Sequence, residues 1–352
     1  MLYGTKNPHG GDVYGQEVLL DFSANVNPLG TPPEVTAAIC EAATHVQHYP
    51  DPYCRALTAA ISAHEGVPEG YILCGNGAAE LIYNYCDAIR PAHMAELAPT
   101  FLEYAQAAEH FGARVSRYAL CEEKDFLPDA GLLPFLERER PDVFFLCTPN
   151  NPSGKTIPRA LLEQVLSLCA QLGTRVFLDE CFLDFTDEKS AKELLEENPH
   201  LFILKAFTKN YALAGVRVGY GLTADKALLS QMAQAQQPWN VSVLAQAAGV
   251  AALQTGEHFA RAKALIAPQR AALTKGLQGL GFRVISSEAN YLLFCAPAGL
   301  DKALRREGLA IRNCENYAGL GAGWYRIAVR LPEENNALLA AMRRRMEDGS
   351  WR

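Results

Sequence analysis

The chain has 352 residues and a formal net charge of -7 at pH 7, with 49% of its residues apolar. That length buries a large core, and an acidic balance without long runs of Lys or Arg argues against nucleic acid or an anionic membrane as the main partner. Met1 to Gly11 lacks the apolar core of a signal peptide, no apolar run is long enough to span a bilayer, and the ten cysteines lie at least 12 residues apart; this predicts a cytoplasmic chain with reduced thiols and no CxxC metal site.

In chain order, residues 1–30 read as an N-terminal arm, residues 31–240 as a large unit and residues 241–352 as a smaller C-terminal unit. From about residue 70, short apolar runs alternate with helical patterns. Strands are expected at Tyr71–Cys74, Met94–Ala98, Arg114–Ala119, Val143–Cys147, Arg175–Leu178, Leu201–Lys205 and Arg217–Leu222, with amphipathic stretches such as Ala79–Ile89, Phe101–Phe111 and Arg159–Gln171 between them. This alternation predicts an α/β fold, a mostly parallel sheet covered by helices on both faces. A long helical stretch, Val241 to Leu280, leads into a smaller α+β unit. Its strands are expected near Phe282–Ile285, Tyr291–Cys295, Ala310–Arg312 and Trp324–Val329, with a last helix from Glu333. The N-terminal segment is expected to complete that unit.

In open α/β sheets ligands bind where strands end, so the chemistry is sought there. Cys74-Gly75-Asn76-Gly77-Ala78-Ala79-Glu80 breaks a strand into glycines and opens a helix. Free N–H groups at such a helix start suit a phosphate, although a plain turn has the same pattern. Phe101 follows the strand ending at Ala98 and is placed either to stack on a flat ring or to fill the core. Thr148-Pro149-Asn150-Asn151-Pro152-Ser153-Gly154 is a rigid polar loop whose amides suit a phenolic oxygen. Asp179 ends an apolar strand, where a carboxylate is costly unless paired; a protonated pyridine nitrogen is such a partner, and a helix cap is the plainer role. Lys209 lies in a loop after the next strand, between Thr208 and Arg217, and a lysine with cationic neighbours favours its reactive neutral form.

At these residues the chain resembles the fold-type I pyridoxal-5'-phosphate enzymes over nearly its whole length, which implies an aspartate-aminotransferase-like fold. The resemblance is closest to the branch holding histidinol-phosphate aminotransferases and the threonine-phosphate decarboxylases of cobalamin synthesis. It implies that Lys209 carries the cofactor as a Schiff base, that Asp179 pairs with the ring nitrogen, that Asn151 bonds the ring hydroxyl and that Phe101 stacks on the ring. Gly77, Ala78, Ala79, Thr208 and Arg217 would hold the phosphate. Tyr49 would reach the phosphate of the other subunit in a homodimer, and Arg326 would bind the substrate carboxylate.

Within the branch, three segments resemble the decarboxylases. They are Pro8-His9-Gly10-Gly11-Asp12 with Asp21 to Gly30, then Phe182 where transaminases carry a tyrosine, and finally Pro238 to Ser242 with Cys314 to Leu320. Asp12 departs from that group's pattern, which more often has Asn. A decarboxylase must align the C–COO⁻ bond, not the C–H bond, with the electron-accepting plane, so the anchors of carboxylate and phosphate decide the reaction. Candidate anchors are Lys6, His9, Gly10, Asn25, Arg312 and Arg326. The expected activity is decarboxylation of a phosphorylated amino acid, L-threonine O-3-phosphate. The alternatives are amino transfer to and from histidinol phosphate, and a regulator that binds the cofactor without catalysis.

Overall fold

Val-Phe-Phe-Leu-Cys at 143–147 has no polar alternation, and such a strand is stable only with both faces covered; all five residues are buried. The structure, a computed structural model, describes residues 9–14 and 17–348, so Lys6 lies outside the described residues. In chain order the strands are β1 (Leu20–Asp21), β2 (Ile72–Gly75), β3 (His93–Ala98), β4 (Arg114–Ala119), β5 (Val143–Cys147), β6 (Arg175–Asp179), β7 (Leu201–Ala206), β8 (Gly219–Leu222), β9 (Arg283–Val284), β10 (Tyr291–Cys295), β11 (Leu309–Ala310), β12 (Arg312–Asn313) and β13 (Trp324–Ala328). Seven of them form one sheet in the order β2-β8-β7-β6-β5-β3-β4, where β8 alone runs against the direction of the other six. Strand periodicity sends alternate residues to opposite faces. Phe144 and Leu146 join the core under the helices Leu132–Glu139 and Arg159–Leu172, whereas Val143, Phe145 and Cys147 join the core under Ala78–Ile89 and Glu103–His110. The expected mostly parallel sheet with helices on both faces is what the chain forms.

On the second face, register makes an aromatic ladder. Phe145, Phe177 and Phe202 are direct partners across β5, β6 and β7, and their rings stack at 4.7 Å and 5.0 Å. Tyr104 stacks on Phe145 at 5.3 Å, and Tyr85 meets Phe177 edge-on at 4.8 Å. All five side chains are fully buried.

The C-terminal part forms a four-stranded sheet, β12-β13-β10-β9. β1 pairs in parallel with β11, and the Phe22 backbone bonds both Ala310 and Ala328, so the N-terminal segment is stitched into this part of the molecule. The expected stretch Val241 to Leu280 is two helices, Val243–Ala252 and Gly256–Gly279. The break has a packing reason. The first helix lies against Pro33–Ala42 and Arg55–Glu65, and the second against the C-terminal helix Pro332–Asp348. No helix among the described residues is long and apolar enough to cross a membrane.

Because the ladder joins three strands and the helix that starts at Glu103, Phe177→Ala should cost about 3–5 kcal/mol of unfolding free energy. Urea unfolding measures it; a loss below about 1 kcal/mol would show that the ladder does not carry this face.

Candidate cofactor and substrate site

β6 presents Phe177 and Asp179 on the same face, two residues apart, so the ladder that stacks Phe177 also brings Tyr104 to Asp179. The Tyr104 hydroxyl donates to Asp179 Oδ2 at 2.5 Å, and the Cys181 N–H donates to Oδ1 at 2.9 Å. Burial nonetheless pushes the Asp179 carboxyl above the usual range. Two donors fix its rotamer, and each carboxylate oxygen keeps a lone pair for a cationic partner. Since Asp179 lines the cavity, it is more than a turn cap.

Lys209 does not sit in an open loop: it lies in the one-turn helix Phe207–Asn210 that follows β7. Burial, then the charges of Arg326 and Arg217, pull its amine down to about 8 against the pull of Cys181 and Asp179 in the other direction. Arg217 does not open β8, which starts at Gly219; it sits two residues ahead with a left-handed φ of 65°. That conformation lays its guanidinium on Gly77. A Cβ there would fall 2.5 Å from Arg217 Nη2, and Gly77 itself has φ 81°, so position 77 requires glycine. Gly77 precedes the 12-residue helix Ala78–Ile89 and offers no side-chain cap, which leaves the first N–H groups for an anion. Ala78, Ala79, Thr208 and Arg217 all line the cavity beside them, whereas Gly77 does not.

The other wall carries the expected substrate residues. His9, Gly10, Asn25, Arg312 and Arg326 all line the same cavity of about 390 Å³. Arg326 is buried; one amino group bonds Asn151 Oδ1 and the other donates to the Ser23 carbonyl at 2.8 Å. Arg312 is buried too and donates to Asn316 Oδ1 at 2.7 Å. With Asn151 Oδ1 occupied by Arg326 and, at 3.4 Å, by the Tyr317 hydroxyl, the Asn151 amide is left to act as a donor. The neighbouring Asn150 is structural: it is fully buried, donates to the Pro99 carbonyl at 2.9 Å and accepts from Thr100. Phe101 lies edge-on to Tyr104 at 5.5 Å. Phe182 lies edge-on to Tyr291 at 5.0 Å, with Lys209 Nζ 5.7 Å from its ring centre.

Tyr49 stands apart. It is 79% exposed and stacks on Trp239 at 4.4 Å, outside the cavity of its own chain. Tyr104, Glu103, Ser23 and Tyr317 line the cavity as well, beyond the expected site residues. Tyr104 had a signal: it falls one helical turn after Phe101, so the two face the same side. Glu103 and Ser23 carried none, because their place depends on how the N-terminal arm lies.

The site fits pyridoxal phosphate on its own chemistry. It combines an anion-binding helix start, a buried carboxylate for a ring nitrogen, an amine depressed towards neutrality and an amide donor. Two buried polar atoms of the cavity wall, Asn25 Oδ1 and Arg326 Nε, have no hydrogen-bond partner among the described residues, as expected of groups that meet a ligand.

The comparisons with known proteins agree with this geometry. The model for the aminotransferases of class I and II matches residues 17–342. A threonine-phosphate decarboxylase from Salmonella typhimurium is 36% identical over 351 residues, covering 95% of each chain. A histidinol-phosphate aminotransferase from Anaeromyxobacter sp. is 34% identical, covering 94% of this chain and 92% of that one. Among solved structures, the histidinol-phosphate aminotransferase from Clostridium acetobutylicum superimposes with a TM-score of 0.87 at 29% identity, over 94% of this chain and 100% of that chain.

The depressed Lys209 amine has a direct consequence. Its folded-state value of about 8 lies below the ordinary 10.5, so the neutral, nucleophilic form grows as pH rises through about 8. The unfolded chain binds more protons between those two values, so this lysine's contribution to stability rises with pH across that window. Covalent capture of pyridoxal phosphate by cofactor-free protein should therefore accelerate with pH up to about 8 and then level off. Arg326→Gln should move the midpoint upward. Stopped-flow absorbance across pH measures both, and an unmoved midpoint would exclude Arg326 as a cause.

Proposed function

Because this chain belongs to the aminotransferase class I and II family, whose members work with pyridoxal 5'-phosphate, we propose that it decarboxylates L-threonine O-3-phosphate to aminopropanol phosphate, a step of cobalamin synthesis. The observation that carries the reading is the pairing of two buried arginines, Arg312 and Arg326, in one small cavity with a phenylalanine at position 182. Two arginines match a substrate with two anionic ends, and a dianion leaves water only for several charge-assisted bonds. Phe182 supplies no hydroxyl, so Asn151 is the donor for the ring oxygen, and the ring holds its charge differently from one that also meets a tyrosine. The similarity to a threonine-phosphate decarboxylase supports the same choice.

When bound, the cofactor supplies an electron sink for the pair released from a bond at Cα. The protein does the rest by placement. Lys209 holds the cofactor and, released, carries a proton near Cα. Asp179 keeps the ring nitrogen protonated, and Thr208, Arg217 and the helix start at Ala78 hold the cofactor phosphate. Arg326 and Arg312 fix the two substrate anions, and the rotation they impose selects C–COO⁻ as the bond that breaks. Such positioning contributes several kcal/mol.

The second reading is histidinol-phosphate amino transfer, which the similarity to such enzymes favours. Purified protein given O-phospho-L-threonine should release carbon dioxide. Given histidinol phosphate and 2-oxoglutarate, it should make little glutamate. Arg326→Ala or Arg312→Ala should lower kcat/KM by roughly 2–4 kcal/mol, the scale for stranding one partner of a buried charge pair. Fast glutamate formation without carbon dioxide would transfer the protein to the second reading.

We also propose a homodimer with shared sites. Tyr49, Tyr53, Val46 and Trp239 are large apolar side chains left 79%, 71%, 62% and 45% exposed. Arg217 at the phosphate end is exposed as well, and isologous dimers are the commonest way to cover such a patch. Mixing Tyr49→Phe with Lys209→Ala protein should restore activity beyond that of either variant alone, through hybrid dimers. A monomer by sedimentation at assay concentration would rule this out.

A further inference from the structure

The proposed function leaves one pair of cavity side chains without a task, His9 and Glu103. His9 Nε2 lies 2.5 Å from Glu103 Oε1, and the imidazole is 5.7 Å from the Phe101 ring at 44°. Glu103 is in the first turn of Glu103–His110, with its side chain only 13% exposed. The arm that brings His9 here is held down. A Cβ on Gly10 would come within 2.4 Å of the Ser23 carbonyl oxygen, so the backbone lies flat on that residue. The Gly11 N–H donates to Ser23 Oγ at 2.8 Å, Ser23 Oγ donates to Asp21 at 2.6 Å, and Arg305 donates to the Asp12 carbonyl at 2.8 Å. His9 is thus carried on a fixed strap that crosses from the β1 segment to the helix behind Phe101.

We infer that the His9–Glu103 contact is the specificity wall of this cavity, admitting a short phosphorylated side chain and filling the place where an imidazole-bearing phosphorylated substrate would bind. The inference rests on the proposed decarboxylase reading and names how it excludes the other substrate class. Two physical effects act together. The first is occupancy: an imidazole of the chain itself already lies beside the Phe101 face and at the Glu103 acceptor, the two contacts a substrate imidazole would use. The second is charge: a bare carboxylate in a compartment built for a dianion repels it, and His9 covers Glu103. Removing His9 therefore opens space for the wrong ligand, supplies it with an acceptor, and exposes the right ligand to a negative charge. Specificity of this kind comes as much from the element that rejects as from those that attract.

The test uses cofactor-loaded wild type, His9→Gly, and His9→Gly combined with Glu103→Gln. Dissociation constants for O-phospho-L-threonine and for histidinol phosphate are read from the change in cofactor absorbance. In His9→Gly the ratio of the two affinities should shift at least about tenfold towards histidinol phosphate, with O-phospho-L-threonine weakened. Adding Glu103→Gln should return most of that shift. A ratio within about threefold of wild type in His9→Gly, or a full shift that survives Glu103→Gln, would overturn the wall. Neither result touches carbon dioxide release by the wild type, which tests the proposed reaction separately.

Discussion

Asp179 is an acid that this fold buries against the wall of its cavity, and much of the site is arranged around that fact. It ends β6, in register with Leu204 on β7, and five residues past Leu204 comes Lys209. An acid and an amine are thus delivered to one cavity by two adjacent parallel strands. Burial pushes both towards neutrality: the Asp179 carboxyl upward and the Lys209 amine downward. A pair kept apart and short of water is poised to take a ligand that meets both, an aldehyde for the amine and a basic ring nitrogen for the acid. The phenylalanine ladder makes this arrangement rigid, because the ring that stacks on Phe145 is the one whose hydroxyl holds Asp179.

The Lys209 turn is braced from beneath by buried charge. Asn210 donates to Asp184, and Asn27 donates to the Lys209 carbonyl at 2.9 Å and to the Asn210 carbonyl at 2.8 Å. Lys205, fully inside, has Glu65 at 3.2 Å, Asp184 at 3.5 Å and Glu180 at 4.0 Å. Burial works against the Glu65 carboxylate, but Lys205, Lys192 and the Tyr220 hydroxyl outweigh it and hold Glu65 at about 2. Replacing such a cluster by apolar groups is often neutral or favourable in stability alone. Here the cluster joins the segment that follows Asp179 and bears Phe182 to the turn bearing Lys209, so its geometry is shared with the cavity.

Much of this was legible from the residues. The central strands β5, β6 and β7 fell close to their expected places because each is a largely apolar run buried on both faces, where periodicity and length agree. The cavity gathers Lys209, Asp179, Asn151 and Phe101 because strand ends of a parallel sheet meet along one edge, while Arg312 and Arg326 reach it from the C-terminal antiparallel sheet. Legibility failed where tertiary contacts decide. Arg217 reads as a strand residue from its apolar neighbours, yet its left-handed backbone is dictated by packing on Gly77. The stretch from Val241 reads as one helix because the residues on both sides of Leu253–Thr255 share the same periodicity. Its two halves pack on different partners, which no local pattern encodes. Glu103 was invisible for the same reason, since its partner is 94 residues away on the arm.

Asn151 shows how the two walls are coupled. Its Oδ1 accepts from Arg326 and Tyr317, while the same Arg326 is, after burial, the largest influence holding the Lys209 amine down. A substrate carboxylate at Arg326 would neutralise that charge, and the Lys209 amine would regain affinity for a proton. The sign matters. Before substrate arrives, the depressed amine stays nucleophilic near neutral pH. In the proposed decarboxylation, the released amine would hold its proton while the carboxylate is in place, and loss of carbon dioxide would uncover the Arg326 charge again, weaken that hold and favour return of the proton to Cα. One arginine therefore acts on the Asn151 amide and on the Lys209 amine together, which ties the two walls of the cavity to each other.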